Sequence, residues 1–248
     1  MPAWVSGLGV GPRCRAQVSG LGVDIDRRPR CSYGAPISGT PPQRAERQEL
    51  CDLFLERGEN AATLCEGWDA GDLATHLFVR EHRPDAAAGL VVPPLAKHLD
   101  RVMKQTRSAH SFEALVGKVR SGPPAWWRPI DRLANLNEYF VHHEDLRRGD
   151  GDNTPRTADA VKDLEDALWR VLRQVARLSR RALRPVGLDL VREAGETIHA
   201  VSGDPVATLR GRPGELALYL SGRKSAAQVE LDGDARAVEA LQQASFGI

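Results

Sequence analysis

From Pro42 to Arg184 the apolar residues of this chain recur at three- and four-residue spacing, and beyond Pro185 several fall into short strand-like runs. This switch of period constrains the fold most, because a stripe every 3.6 residues buries as a helix whereas alternation buries as a strand. Helices should come first and strands last. The expected class is α+β, with a helical bundle over residues 43–184 and a small α/β domain over 185–248.

Leu50, Leu53 and Phe54 mark a first helix between Pro42 and Gly58. Asp69 is placed to cap a second, with Asp72 at its third position and Leu73, His76, Leu77 and Arg80 recurring behind it until Pro84. Leu95, Leu99 and Val102 outline a third helix, and Leu115, Val116 and Val119 a shorter one capped by Ser111. Pro129 suits the first turn of a helix running to about Arg148. Val161, Leu164, Leu168, Val171, Leu172, Val175 and Leu178 then form one long stripe, whose end carries the solvated Arg177, Arg180, Arg181 and Arg184. Strands are expected at 186–191, 197–201, 206–210 and 228–231, a turn at Asp232-Gly233-Asp234, and helices near 213–220 and 235–243.

Residues 1–42 are rich in Gly, Pro and Arg without a sustained apolar period, so they read as a disordered extension. A formal charge of +1 gives no global basic field, which argues against nucleic acid as a partner. The chain has no apolar run long enough to span a bilayer and no signal-peptide stretch, so the expected location is the cytoplasm. Cys14, Cys31, Cys51 and Cys65 are too widely spaced for a zinc knuckle and read as reduced thiols, Cys65 as a packing residue before a nucleophile. The loop 121–129 carries Trp126 and Trp127, which either wall a pocket or seal a core edge.

Glu138 and His142 are four apart on an expected helix and therefore share a face. A surface ion pair is the plain reading of such a pair. The other is a metal site, with His76 as third ligand, because a histidine among the apolar positions of its helix needs a polar reason to be there. Two imidazoles and a carboxylate suit first-row divalent ions, Zn²⁺ first, with ligand atoms roughly 4 to 5 Å apart and at least one position left for water or substrate. His82 and His143 compete as ligands. Asp72 either bonds an imidazole or serves its helix end, and Asp145 either accepts from His142 or pairs with Arg148 at the surface.

The stretch Thr63-Leu64-Cys65-Glu66-Gly67-Trp68-Asp69-Ala70-Gly71-Asp72-Leu73-Ala74-Thr75-His76-Leu77 resembles the signature of the mycothiol-dependent maleylpyruvate isomerase family, a branch of the DinB-like metal-binding bundles. Glu138-Tyr139-Phe140-Val141-His142-His143-Glu144-Asp145 is similar to its second motif, and 211–223 to its C-terminal domain. The resemblance covers about residues 43–248 and is close to an actinobacterial subgroup of metal-binding proteins. It implies a four-helix-type bundle and metal ligands at His76, Glu138 and His142. It further implies mycothiol as the thiol cofactor, and a small electrophilic or dienoic acid as substrate. The activity implied is isomerase or thiol transferase, with conjugation of toxic electrophiles or metal-dependent binding without turnover as alternatives. By the same similarity Arg223 is the cation that holds substrate carboxylates, with Arg147 and Arg148 behind it as exposed helix-end charges.

Overall fold

A computed structural model describes residues 40–246 apart from Val91, Trp126, Trp127 and Ser179. The expected extension, save for its last residues, and the tryptophan pair therefore lie outside the described residues. The fold is mixed α/β, mostly helical with one four-stranded sheet.

Helix α1 (Pro42–Arg57) starts on Pro42 at its first position and ends at Gly58, whose φ of 82° only glycine adopts without strain. Helix α2 (Ala70–His82) is opened by Asp69, which accepts from the Asp72 amide at 2.9 Å while the Asp72 carboxylate reaches back to the Asp69 amide. Such a reciprocal cap contributes about 1 kcal/mol. Arg107 bridges both carboxylates, so Asp72 serves its helix end and no imidazole. Pro84 opens the single turn α3 (Pro84–Ala87), before α4 (Ala96–Ala109) and α5 (Phe112–Ser121), the latter capped by Ser111. Leu95 stands outside α4 as an exposed cap position rather than inside it.

Helices α6 (Arg128–Arg147) and α7 (Ala158–Leu178) are the two long ones, followed by the turn α8 (Arg180–Leu183). Helix α1 packs along α5 and α6, and α2 against α4 and α5. Leu50, Phe54, Leu73, Leu77, Val116 and Tyr139 close the core between them. Within that apolar core Glu81 of α2 accepts from Arg47 of α1 at 2.6 Å, and from Asn135 and Tyr139 of α6 at 2.7 and 3.0 Å. A buried carboxylate with this many donors fixes α2 against α1 and α6 in one rotation.

Strands β1 (Gly187–Arg192), β2 (Thr197–Val201), β3 (Val206–Gly211) and β4 (Glu230–Gly233) form a sheet of order β2-β1-β3-β4. The β1–β3 pair is parallel and the other two pairs are antiparallel. Helix α9 (Pro213–Leu220) packs on α7, and α10 (Ala235–Gln243) lies against β3 and β4. One continuous cluster joins Phe140 of α6 and Leu168 and Leu172 of α7 to Leu188, Leu209 and Leu216, so the change of period at Pro185 does not interrupt the core.

Two expectations for the C-terminal part need correction. The last strand lies two residues later than its apolar run, because Asp232 and Gly233 pair with Thr208 and Ala207 rather than turning. Gly233 permits this with a φ of 110° and a close approach to the Val206 carbonyl, and Asp234 then caps α10. Leu178, the last member of the α7 stripe, is 85% exposed.

Candidate metal centre

Leu73, Ala74 and Leu77 bury the inner face of α2, which turns His76 and Arg80, one helical turn apart, toward α6. There the Glu138 Oε1 lies 3.2 Å from His76 Nε2, 3.3 Å from His142 Nε2 and 3.1 Å from Arg80 Nε. The donor atoms of His76, Glu138 and His142 all lie within 4.8 Å of one another. The two histidine–carboxylate separations are tighter than the expected 4 to 5 Å, and they match the edge of a tetrahedron or octahedron of bonds near 2.1 Å, about 3.0 to 3.4 Å. The donor chemistry and the spacing both fit a first-row divalent ion.

Burial favours the neutral form of Glu138, but hydrogen bonds to His142 and His76 and the charge of Arg80 outweigh it, holding the carboxyl well below its ordinary range. Burial pushes His76 down. For His142 the same burial is overcome by Asp145, Cys65 and Glu138, which raise it well above the usual imidazole value. The polarised proton of His142 is the charge a metal cation would replace.

Asp145 takes the inner role of the two open for it. Its side chain is 0% exposed, and Oδ2 lies 2.8 Å from His142 Nδ1. With Asp145 accepting from Nδ1, the proton on Nε2 is the one that faces Glu138, and a metal ion displacing it would meet the Nε2 lone pair on the side of Glu138 and His76. Arg223 grips both Asp145 oxygens at 2.8 and 2.7 Å and donates to the Ser221 carbonyl at 2.6 Å. The fork expected to hold substrate carboxylates is therefore engaged by Asp145, whose carboxyl is held at about 2 by His142 and Arg223 against the opposing pull of burial.

Cys65 stands closer to this centre than a packing residue would. Its Sγ is 3.2 Å from Asp145 Oδ2 and 3.3 Å from the Arg223 guanidinium, and it forms a second potential donor group with His142 and Asp145. The loop bearing it is pinned to the end of α6: the Leu64 amide donates to the Asp145 carbonyl at 3.0 Å, and Gly149 packs so closely that a Cβ would stand 2.0 Å from the Ala62 carbonyl. The only local signal was its place in the motif before Trp68, whose ring lies 5.2 Å from that of His76.

The two thiols described in the structure should react differently. Cys51 is buried and its thiol is pushed up to about 12 by that burial, whereas Cys65 is part-exposed. Brief treatment of the native protein with a maleimide, followed by peptide mapping, should modify Cys65 and spare Cys51 at least tenfold, roughly the order expected from burial and thiolate population. Equal labelling would show that the bundle opens around Cys51.

His82 bonds the Phe78 carbonyl at 3.1 Å and stacks on its ring, away from the three ligands. His143 belongs to another cluster, with its Nδ1 2.9 Å from Glu46 Oε1 and with Glu49 alongside. Arg156 already supplies positive charge there, binding Glu46 at 2.5 Å and Glu144 at 2.8 Å. Burial opposes ionisation of Glu46 and Glu144, but Arg156 and its neighbours win and lower each from 4.5 to about 2. A lowered carboxyl contributes stability that is complete above its unfolded value and lost as pH falls. The unfolding free energy from urea titration should therefore drop between about pH 4.5 and 2, by on the order of 3 kcal/mol for one such carboxylate. Arg156→Met should flatten that part of the curve; an unchanged slope would assign acid unfolding to other groups.

Arg147 and Arg148 are not alike. Arg147 pairs with Glu144 near the surface, but Arg148 is 1% exposed and bonds Glu144 at 2.5 Å, Glu215 at 2.6 Å and the Ala226 carbonyl at 2.7 Å. Its expected place as an exposed helix-end charge is wrong, because α9 and the chain before β4 cover the end of α6. No family model matches the chain, and no curated protein or solved structure matches it significantly. Among the described residues no helix is long and apolar enough to cross a membrane.

Proposed function

We propose that the chain is a metal-dependent enzyme built on a DinB-like bundle, which uses a low-molecular-weight thiol to isomerise or conjugate a small electrophilic or dienoic acid. The observation that carries this reading is the meeting of His76, Glu138 and His142, from two helices, at separations suited to a divalent ion, Zn²⁺ first. By the resemblance of its two motifs, the thiol is mycothiol and the relatives are the maleylpyruvate isomerases. A reduced thiol partner is consistent with work in the cytoplasm.

Three protein donors leave an exchangeable position, the mark of a centre that meets a ligand rather than one that only braces a fold. When bound, a divalent ion would favour the thiolate of a neighbouring thiol at neutral pH. The chain's own residues hold that position in shape. Asp145 orients His142, Trp68 covers one side of His76, and Arg80 places positive charge beside Glu138 where an anionic substrate would approach. In the isomerase form of the reaction the thiol sulfur adds to the double bond, the new single bond rotates, and elimination returns the thiol with the trans product.

The test is metal analysis of untagged protein, then thiol titration with and without chelator and ultraviolet assays on cis-dienoic acids and electrophiles. One equivalent of metal and chelator-sensitive thiol binding are expected. A protein that takes up no divalent metal at micromolar concentration would end this reading. Turnover of electrophiles alone would make it a conjugating enzyme.

A further inference from the structure

Arg223 is delivered by the ending of α9, not by the bundle. After Leu220 the Gly222 amide bonds the Tyr219 carbonyl and the Arg223 amide bonds the Leu218 carbonyl at 2.9 Å, with Gly222 at a φ of 89°. This is the glycine-terminated helix end in which a left-handed residue reverses the chain, so the residue after it has a fixed direction. Helix α9 is itself seated against α6, where a Cβ on Gly214 would stand 2.8 Å from the Phe140 ring. Arg223 then meets Asp145 with two parallel bonds, Nε to Oδ1 at 2.8 Å and a terminal nitrogen to Oδ2 at 2.7 Å, and its other terminal nitrogen is taken by the Ser221 carbonyl.

We infer that Arg223 is a positioning residue for the metal centre: it holds Asp145 so that Asp145 holds His142 with Nε2 toward Glu138. The inference rests on the metal reading of His76, Glu138 and His142. A carboxylate that accepts from a ligand imidazole acts only if its own plane is fixed, and a bidentate guanidinium fixes it in a way a single ammonium does not. It also keeps a fully buried negative charge compensated while the site is free of metal. The last part of the chain is thus coupled to a ligand on α6 through two side chains, Arg223 and Asp145.

The experiment measures Zn²⁺ affinity by chelator competition on the full chain and its Arg223→Gln, Arg223→Lys and Asp145→Asn variants. The metal-free proteins are examined by proton NMR for the His142 Nδ1 proton, identified by its loss in His142→Ala. Arg223→Gln and Asp145→Asn should each weaken Zn²⁺ by roughly 10- to 100-fold, with Arg223→Lys between them and the wild type. The double variant should fall within about threefold of the weaker single one, since both act through one bond. The Nδ1 proton, deshielded and protected in the wild type, should move upfield or exchange away in Arg223→Gln. A residue that only anchors substrate would alter neither quantity. An unmoved Nδ1 proton or an unchanged Zn²⁺ affinity in Arg223→Gln overturns the inference; a wild type that binds no Zn²⁺ ends the metal reading, and the proton resonance then decides the positioning role alone.

Discussion

His142→Ala should weaken Zn²⁺ binding by at least a hundredfold, since losing a direct donor must exceed the roughly 10- to 100-fold cost of losing a partner behind one. The bundle should remain folded. Alanine is the better helix former, and Asp145 keeps the two bonds from Arg223 when the imidazole is gone, so no charge is stranded. Metal content, circular dichroism and thiol titration on one preparation test this. Loss of metal with thiol binding unchanged would separate the thiol from the metal and refute the proposed chemistry. Unfolding would make the ion structural, and retained tight binding would place the ion elsewhere, with the Cys65, His142 and Asp145 group as the first place to look.

Arg148→Met should be the most destabilising change outside the apolar core, by about 3 to 5 kcal/mol, because it leaves Glu215 buried without its cation. Glu144 retains Arg147 and Arg156, so the penalty falls on Glu215, whose remaining partner is the Gln228 amide at 2.8 Å. For a domain of this size the melting temperature should fall by roughly 10 °C. The double variant Arg148→Met with Glu215→Leu should recover much of the loss, since a buried pair replaced by apolar groups of similar volume is often neutral. Arg57→Ala, which removes an exposed pair with Asp150, should cost less than about 1 kcal/mol and serves as the comparison. A small effect of Arg148→Met would mean that water reaches Glu215 and that α9 covers α6 loosely.

Both results bear on one segment, the C-terminal half of α6 and the residue that follows it. His142, His143, Glu144, Asp145 and Arg148 are all buried there, although a run of such residues looks like a solvated helix end. Spacing placed Glu138 and His142 on one face, and the apolar neighbours of His76 singled it out, because helical period is a local property. Nothing local distinguishes Asp145 from Asp150, or Arg148 from Arg57, since each could equally well face water.

Where the helices and strands lie follows from local residue order. Proline and glycine punctuation, the Asp69 and Ser111 caps and the two apolar periods act over a few residues, and they set the limits of α1, α2, α5 and α9 nearly to the residue. Leu95 fell just outside α4, and β4 slipped by two residues, where a residue that usually turns the chain was held in the ladder by pairing with β3. The tertiary structure alone decided which polar groups lost their water. Cys65, Asp145 and Arg223 are separated by 80 and 78 residues and meet because the 61–69 loop and the end of α9 close over α6 from different directions. Once water is excluded there, each buried charge must find an opposite partner, and that requirement, set by the packing of distant segments, turns two motif histidines and a glutamate into an ordered candidate centre.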